Sequence, residues 1–177
     1  MYVYKDIGFR PIERSDLEII RRLHNDPSTL LNLATTELID EPGQHNWWEN
    51  LHRVKNDKRY IICLSDKPER IIGRLRIQNI DRQNSNCEIG LDILPELRGK
   101  GYGLLSYQMI LEFLFLHYNM NMVYVRVAEY NPVAKSLYSR IGFKETGNYE
   151  EYIYRNGRYY DYQILCLTKS AYLRSRP

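Results

Sequence analysis

Apolar and polar residues change rhythm several times along the chain, and each change marks an element. Residues 7–12 read as a short strand. Ser15-Asp16-Leu17-Glu18 has the capping-box spacing that opens a helix, and Leu17, Ile20 and Leu23 then share one face as far as Asn25-Asp26-Pro27. Helical segments follow at about 30–36 and 42–54, then strands at 59–64 and 71–80 joined by the polar turn Asp66-Lys67-Pro68-Glu69. A fourth strand covers 86–94, where the interior Gly90 predicts a bulge or a close backbone approach. A helix over 102–118 carries Leu105, Met109, Phe113 and Leu116 as its apolar stripe. Residues 122–127, rich in β-branched side chains, form the next strand, and the intervening helix implies that it runs parallel to the fourth. Asn131-Pro132 caps and opens another helix, which carries Ala134, Leu137, Tyr138 and Ile141 and stops at Gly142. The last two strands, 143–154 and 159–168, meet at Asn156-Gly157, the strongest short hairpin signal.

The order β, helices, ββ, β, α, β, α, ββ predicts an α/β (α+β) fold: a mixed, mostly antiparallel seven-stranded sheet with a central parallel pair, flanked by helices. The length of 177 residues fits one domain over 1–177, since a chain of that size buries about 70% of its unfolded surface.

Composition narrows the chemistry. The formal charge is only +3 and both signs are interspersed, so the clustered Lys and Arg of a nucleic-acid footprint are absent from the sequence. A mild basic bias suits a small anionic ligand equally well. His24, His45, His52 and His117 are scattered without partners at metal spacing, so no metal site is expected. Cys63, Cys87 and Cys166 lie in apolar strand-like text and read as free thiols, which makes a reducing cytoplasm the expected setting. The first residues lack the order of a signal peptide, and no apolar run reaches the ~18 residues of a membrane span. The 16 tyrosines, concentrated after residue 100, are read mainly as half-buried strand surface.

The stretch around which the chain is organised is Glu96-Leu-Arg-Gly-Lys-Gly-Tyr-Gly-Leu-Leu105, set between the fourth strand and its helix. Gly99, Gly101 and Gly103 allow successive backbone N–H groups to converge into an anion-binding nest, with Arg98 and Lys100 adding positive charge. The spacing is neither that of a P-loop nor Gly-x-Gly-x-x-Gly. On the loop alone, a turn that merely joins strand to helix stands as the other reading. Adjacent helix residues point ~100° apart, so Trp47 and Trp48 cannot both face one core, and a wall of an acceptor pocket is the role open to one of them.

Arg98-x-x-Gly101-x-Gly103 at the start of a helix, with Asn131-x-x-Ala134-x-x-x-Tyr138 and Tyr138-x-x-Ile141-Gly142-Phe143 following in order, resembles the GNAT superfamily of acyl-CoA-dependent N-acetyltransferases over essentially the whole chain. The tail from Tyr152 to Asp161 is similar to the branch of Rim-type, spermidine and amino-sugar acetyltransferases. The resemblance implies acetyl-CoA as cosubstrate and direct transfer in a ternary complex. Its pyrophosphate would lie on the amides of Gly99, Lys100, Gly101, Tyr102, Gly103 and Leu104 beside Arg98, with Asn131 and Lys135 as further cofactor contacts. Amides around Leu91, Asp92, Ile93 and Leu94 would receive the thioester carbonyl and pantetheine arm where a bulged strand splays from its neighbour. Tyr138 would protonate the departing thiolate, against the alternative of one more apolar helix residue. Glu88 is the first candidate for the base, against a satisfied structural carboxylate, with Glu150 and Glu151 weaker candidates near the acceptor. The His45-Asn46-Trp47-Trp48 helix resembles enzymes acting on nucleotide-linked amino-deoxysugars, so such an amine, contacted by Trp47, Trp48 and Glu150, is the leading acceptor. A protein N-terminal amine, a polyamine or drug amine, and a non-catalytic acyl-CoA sensor are the alternatives. An exposed final strand leaves a homodimer open.

Overall fold

The computed structural model describes residues 1–175, with the side chain of His52 outside the described residues. The strands are β1 (Tyr2–Tyr4), β2 (Ile7–Pro11), β3 (Lys58–Leu64), β4 (Ile71–Asp81), β5 (Asn86–Ile93), β6 (Met122–Ala128), β7 (Lys144–Arg155) and β8 (Arg158–Thr168). The helices are α1 (Leu17–Asn25), α2 (Pro27–Leu30), α3 (Glu41–Asn50), α4 (Tyr102–Glu112), α5 (Pro132–Ile141) and α6 (Lys169–Ser175). The sheet is mixed, mostly antiparallel with one parallel pair, as expected, but it has eight strands and not seven. The extra strand is β1, three residues folded back on β2 through Lys5, whose φ of 57° makes the tight turn. Three residues are too few to show alternation.

The described residues form two compact units, each built from two separate stretches of chain. The first comprises Met1–Gln78 and Gly90–Met109. Here β1, β2, β3 and β4 run antiparallel, with Ile7 opposite Leu64 and Tyr60 opposite Leu75. Ile20 of α1 packs on Ile61 and Cys63 of β3, so the 3.6-residue period of the helix and the two-residue period of the strand meet in one cluster. Ser15 is not the residue that starts α1. Buried Asp16 accepts from the Glu13 amide at 2.8 Å and takes both guanidinium nitrogens of Arg10, at 2.7 and 2.9 Å. The helix expected at 30–36 is instead the single turn α2, capped by Asp26, which accepts from the Ser28 amide at 3.0 Å, and opened by Pro27.

The second unit comprises Asn79–Ile89 and the chain from Ile110 onward. The parallel ladder pairs Asn86, Cys87 and Glu88 of β5 with Met122, Val123 and Tyr124 of β6 and ends there. β6 continues antiparallel to β8 as far as Ala128, and β8 pairs with β7. The β7–β8 turn places Asn156 and Gly157 at φ 50° and 82°, the two left-handed positions that Asn-Gly supplies. In α5 the Asn131 side chain accepts from the Ala134 amide at 3.0 Å, and Gly142 at φ 105° ends the helix.

The expected stripe of Leu105, Met109, Phe113 and Leu116 fails except at Met109. The buried face is Tyr107, Ile110, Leu111, Leu114 and Phe115, while Leu116 is exposed. Tyr107, Ile110, Leu111 and Leu114 keep the regular helical spacing, so the expected stripe is already off the buried face before the wide turn Phe113–His117, which affects only the residues after it. One additional residue per turn rotates every later side chain out of the 3.6-residue phase.

Candidate active site

In the first unit, β5 leads through a short turn at Pro95–Leu97 into the glycine loop. Gly99 and Gly101 sit at φ +75° and +87°, and a Cβ built on either would meet nothing within 4 Å. Backbone conformation, not crowding, therefore demands glycine at both, and the space beside them is open. Gly103 lies in the first turn of α4, where the Leu105 amide donates to the Gly101 carbonyl at 3.1 Å. Amides earlier in that turn have no acceptor within the helix and carry the positive end of its dipole. Lys100 is exposed beside them. These residues fit the diphosphate of an acyl-CoA.

Arg98 departs from its expected role. Its Nε donates to the Ile93 carbonyl at 2.9 Å, and its two terminal nitrogens donate to Ser28 Oγ at 2.5 Å and Thr29 Oγ1 at 2.6 Å. Arg98 thus clamps the base of the loop to α2. The upstream strand is also largely committed. The Leu94 amide donates to the Ile72 carbonyl at 2.9 Å, which removes it from the expected donor set. Asp92 takes Arg74 Nε at 2.7 Å and faces Arg76 at 3.6 Å. Burial alone would push the Asp92 carboxyl up, but Arg76, Arg74 and Arg98 outweigh it and hold it below the usual carboxylate range. Gly73 lets β4 approach the Asp92 carbonyl, where a Cβ would come within 2.2 Å. Gly90 admits Arg76, whose guanidinium would stand 2.8 Å from a Cβ there. Gly90 does not itself adopt positive φ. In these two strands the left-handed residue is Asn79 of β4, at φ 53°.

In the second unit, Glu88 is buried with both oxygens occupied: Oε1 accepts from Arg126 Nε at 2.9 Å and Oε2 from Asn79 Nδ2 at 2.8 Å. Burial lowers the Arg126 guanidinium, but the Glu88 hydrogen bond and charge raise it above its ordinary value. Burial, then Glu88, push the Tyr124 phenol up. Tyr138 is buried, its ring edge-on to Phe143 at 5.9 Å. The Asn131 side-chain oxygen is spent on its cap, and Lys135 is half-buried. Glu150 is exposed in an irregular stretch of β7, where the register with β8 shifts between Tyr149 and Ile153. The neighbouring Glu151, at φ 47°, donates its amide to Asp161 Oδ1 at 2.9 Å.

Trp47 and Trp48 separate as their adjacency requires. Both cavities lie within the first unit. Trp48 lines one of about 500 Å³ with Leu51, Arg59 and Tyr60, and Trp47 lines another of about 240 Å³. The smaller cavity also gathers His24, Gln44, Arg59, Arg74 and Arg76. None of these five was singled out from the sequence for a binding role. Arg74, Arg76 and Gln78 alternate along β4, a period-two signal that was sufficient to place them on one face. His24 Nε2 donates to the Glu37 carbonyl at 3.0 Å while Nδ1 faces Arg74 at 3.4 Å; burial first, then Arg74, push its pKa down. Among the described residues, no group of three or more His, Cys, Asp or Glu is placed to hold a metal, and no helix is long and apolar enough to cross a membrane. Cys63 and Cys87 are buried and Cys166 half-buried, all as free thiols.

Comparison with known proteins gives these features a context. The chain is 29% identical to a spermidine N(1)-acetyltransferase of Vibrio cholerae serotype O1 over 167 residues, 94% of this chain and 95% of that one. Its structure superposes on the spermidine N-acetyltransferase of Vibrio cholerae in complex with CoA and spermine with a TM-score of 0.86 at 27% identity, covering 96% and 99% of the two chains. A dodecameric form of that enzyme in an intermediate state gives 0.81 at 28%, covering 98% and 100%. These relatives are spermidine acetyltransferases, one of the three classes to which the tail is similar, and not the Rim-type enzymes or the amino-sugar enzymes that the His45-Asn46-Trp47-Trp48 helix resembles. The model of the acetyltransferase (GNAT) domain matches residues 6–144, so the chain belongs to the GNAT family of acetyltransferases.

Proposed function

We propose that the chain transfers an acetyl group from acetyl-CoA to a primary amine of a small molecule, with a polyamine of the spermidine class as acceptor. The observation that carries the cosubstrate is the left-handed glycine pair opening α4, an amide nest with open space before it. The acceptor class rests on likeness to spermidine acetyltransferases along nearly the whole chain. The bulge of β7 is compatible with it: exposed Glu150 and Glu151 stand among exposed Tyr149 and Tyr152, carboxylates and π-faces that attract ammonium groups. A nucleotide-linked amino sugar has no support from these relatives.

In this reading acetyl-CoA supplies an activated thioester. The amides of residues 99–104 hold its diphosphate, and amides of Leu91, Asp92 and Ile93 serve the thioester carbonyl and pantetheine arm, where donors fixed in advance favour the tetrahedral oxyanion. Holding both reactants together removes several of the ~7–11 kcal/mol that orientation can contribute. Tyr138 is the proposed acid for the thiolate. Glu88 has a narrower role than a free base: a proton arriving at either oxygen displaces Arg126 or Asn79, so proton removal from the ammonium passes through water or through another group. Trp48 and Glu150 remain proposed polyamine contacts, whereas Trp47 lines a cavity with three arginines and is not kept as one; Asn131 and Lys135 remain proposed cofactor contacts.

The test is release of free thiol from acetyl-CoA with spermidine, spermine, peptide amines and amino-sugar nucleotides as acceptors. Turnover with the polyamines is expected, with CoA affinity weakened in Gly101→Ala. Tight CoA binding without turnover on any amine would replace the enzyme by a sensor.

A further inference from the structure

We propose that the 240 Å³ cavity beside Trp47 is a binding site for a small molecule bearing a carboxylate or phosphate. Its polar lining is dominated by donors. Three guanidinium groups, Arg59, Arg74 and Arg76, line it, and no Asp or Glu does among the described residues. Gln44 also lines it, is only 3% exposed, and its Nε2 has no hydrogen-bond partner among the described residues. A buried amide left without an acceptor costs about 1–3 kcal/mol. A ligand oxygen at this point removes that cost.

The carboxylates that neighbour these arginines stand outside the cavity lining. Asp92 accepts from Arg74 Nε at 2.7 Å and faces Arg76 at 3.6 Å, and Asp57 accepts from Arg59 at 3.0 Å, but neither carboxylate lines the cavity itself. Burial lowers the pKa of Arg59 and of Arg74, and the neighbouring arginines lower both further. His24 adds nothing negative, since its Nδ1 is turned to Arg74. Guanidinium remains protonated in proteins, so the charged groups that face the cavity are cationic and would attract an anion. Planar guanidiniums match the paired oxygens of carboxylate and phosphate. The remaining wall, with Ile12, Ile20, Leu33, Trp47 and Leu75, is apolar and suits a short carbon skeleton. The volume lies below the ~300 Å³ at which drug-sized sites begin, which favours a small metabolite over a nucleotide. A polyammonium would meet three like charges here. If the acceptor is a polyamine, the anion is therefore a separate ligand; if the acceptor is an amine that also carries an anion, the cavity selects it.

The site does not depend on the transfer reaction, and binding tests it first. The full chain, without CoA, is titrated calorimetrically with succinate and with inorganic phosphate at constant ionic strength, with spermidine as the cationic control. One anion per chain is expected to bind. Affinity should fall about tenfold or more in Arg76→Gln and in Gln44→Leu, the scale of a lost charge-assisted or buried hydrogen bond, and fall less in Arg76→Lys, which keeps the charge but loses the planar fork. Circular dichroism of each variant confirms folding. Because the glycine loop also attracts phosphate, Gly101→Ala is the control: binding kept there and lost in Arg76→Gln belongs to the cavity, and the reverse pattern overturns the proposal. Absence of anion binding, or equal binding in wild type, Arg76→Gln and Gln44→Leu, overturns it as well. A second arm offers acetyl-CoA with phosphoethanolamine or β-alanine. Turnover that Arg76→Gln abolishes places the anion on the acceptor, while binding without turnover makes it a separate ligand of the same cavity.

Discussion

Replacing Asp92 by Asn removes a carboxylate shared by two half-buried arginines, Arg74 and Arg76, while keeping the side-chain shape. Breaking a buried ion pair by deleting one partner costs about 3–5 kcal/mol, because the remaining charge stays desolvated. Here the side chains of Asp92 and Arg74 are each 13% exposed at 2.7 Å, whereas Arg76 is 27% exposed at 3.6 Å. The first pair therefore dominates, and the lower end, about 3 kcal/mol, is the expected loss. For a chain of this length that lowers Tm by about 6–12 °C. Asp92 is held below its ordinary pKa in the folded state. Its stabilising share is complete above the unfolded value of ~3.9 and disappears as pH falls through the folded value, so the gap between wild type and Asp92→Asn should be constant near neutrality and close in acid. Urea unfolding followed by circular dichroism from pH 7 downward measures it. A loss below about 1 kcal/mol at pH 7, or a gap that does not narrow in acid, would show that Asp92 does not hold these arginines in place.

Three further outcomes follow from the second unit. Tyr138→Phe should lower kcat about 10²-fold or more, the lower range for a proton donor, with CoA affinity nearly unchanged; equal kcat in steady-state assays removes Tyr138 from the proton pathway. Glu88→Gln should release Arg126 and cost stability in a urea titration, yet leave the shape of the pH–rate profile intact if the ammonium proton goes elsewhere; loss of the acidic limb would restore Glu88 as the base. Burial, and to a smaller extent Glu88, push the Cys87 thiol up to about 12. Cys87 should therefore stay unmodified by an aromatic disulfide reagent at pH 8 in the folded protein and react only on unfolding, with mass spectrometry of the labelled peptide as the check.

Local signals carried much of the fold. Asn131, Pro132 and Gly142 set both ends of α5 because capping and chain stop are decided within a few residues, and Asn156-Gly157 set the last hairpin for the same reason. Asp26-Pro27 is the same kind of signal, and it shows why the helix expected at 30–36 starts earlier and ends sooner. The loop glycines were legible because positive φ leaves a residue-type signature. What stayed hidden depends on distant partners. Arg98 looks like a phosphate ligand until Ser28 and Thr29, some 70 residues away in sequence, are found on its guanidinium. The facing of α4 depends on what it packs against, because Tyr107, Ile110, Leu111 and Leu114 repeat at the same helical spacing as the stripe expected, and the left-handed residue of β4 and β5 is Asn79, not Gly90. Arg74 and Arg76 could have been found by alternation alone, but their chemistry emerges only with Gln44 and Asp92 placed around them.

The Arg98 clamp has a practical corollary for anyone moving this cofactor cradle into another scaffold. Excising residues 95–104 would leave a guanidinium without its two hydroxyl seats, and the graft would have to rebuild them or carry Asp26, Pro27, Ser28 and Thr29 along as a second fragment. The portable module is thus discontinuous, and shuffling it as a single cassette between homologues should yield chimeras whose loop loosens even when every glycine is retained.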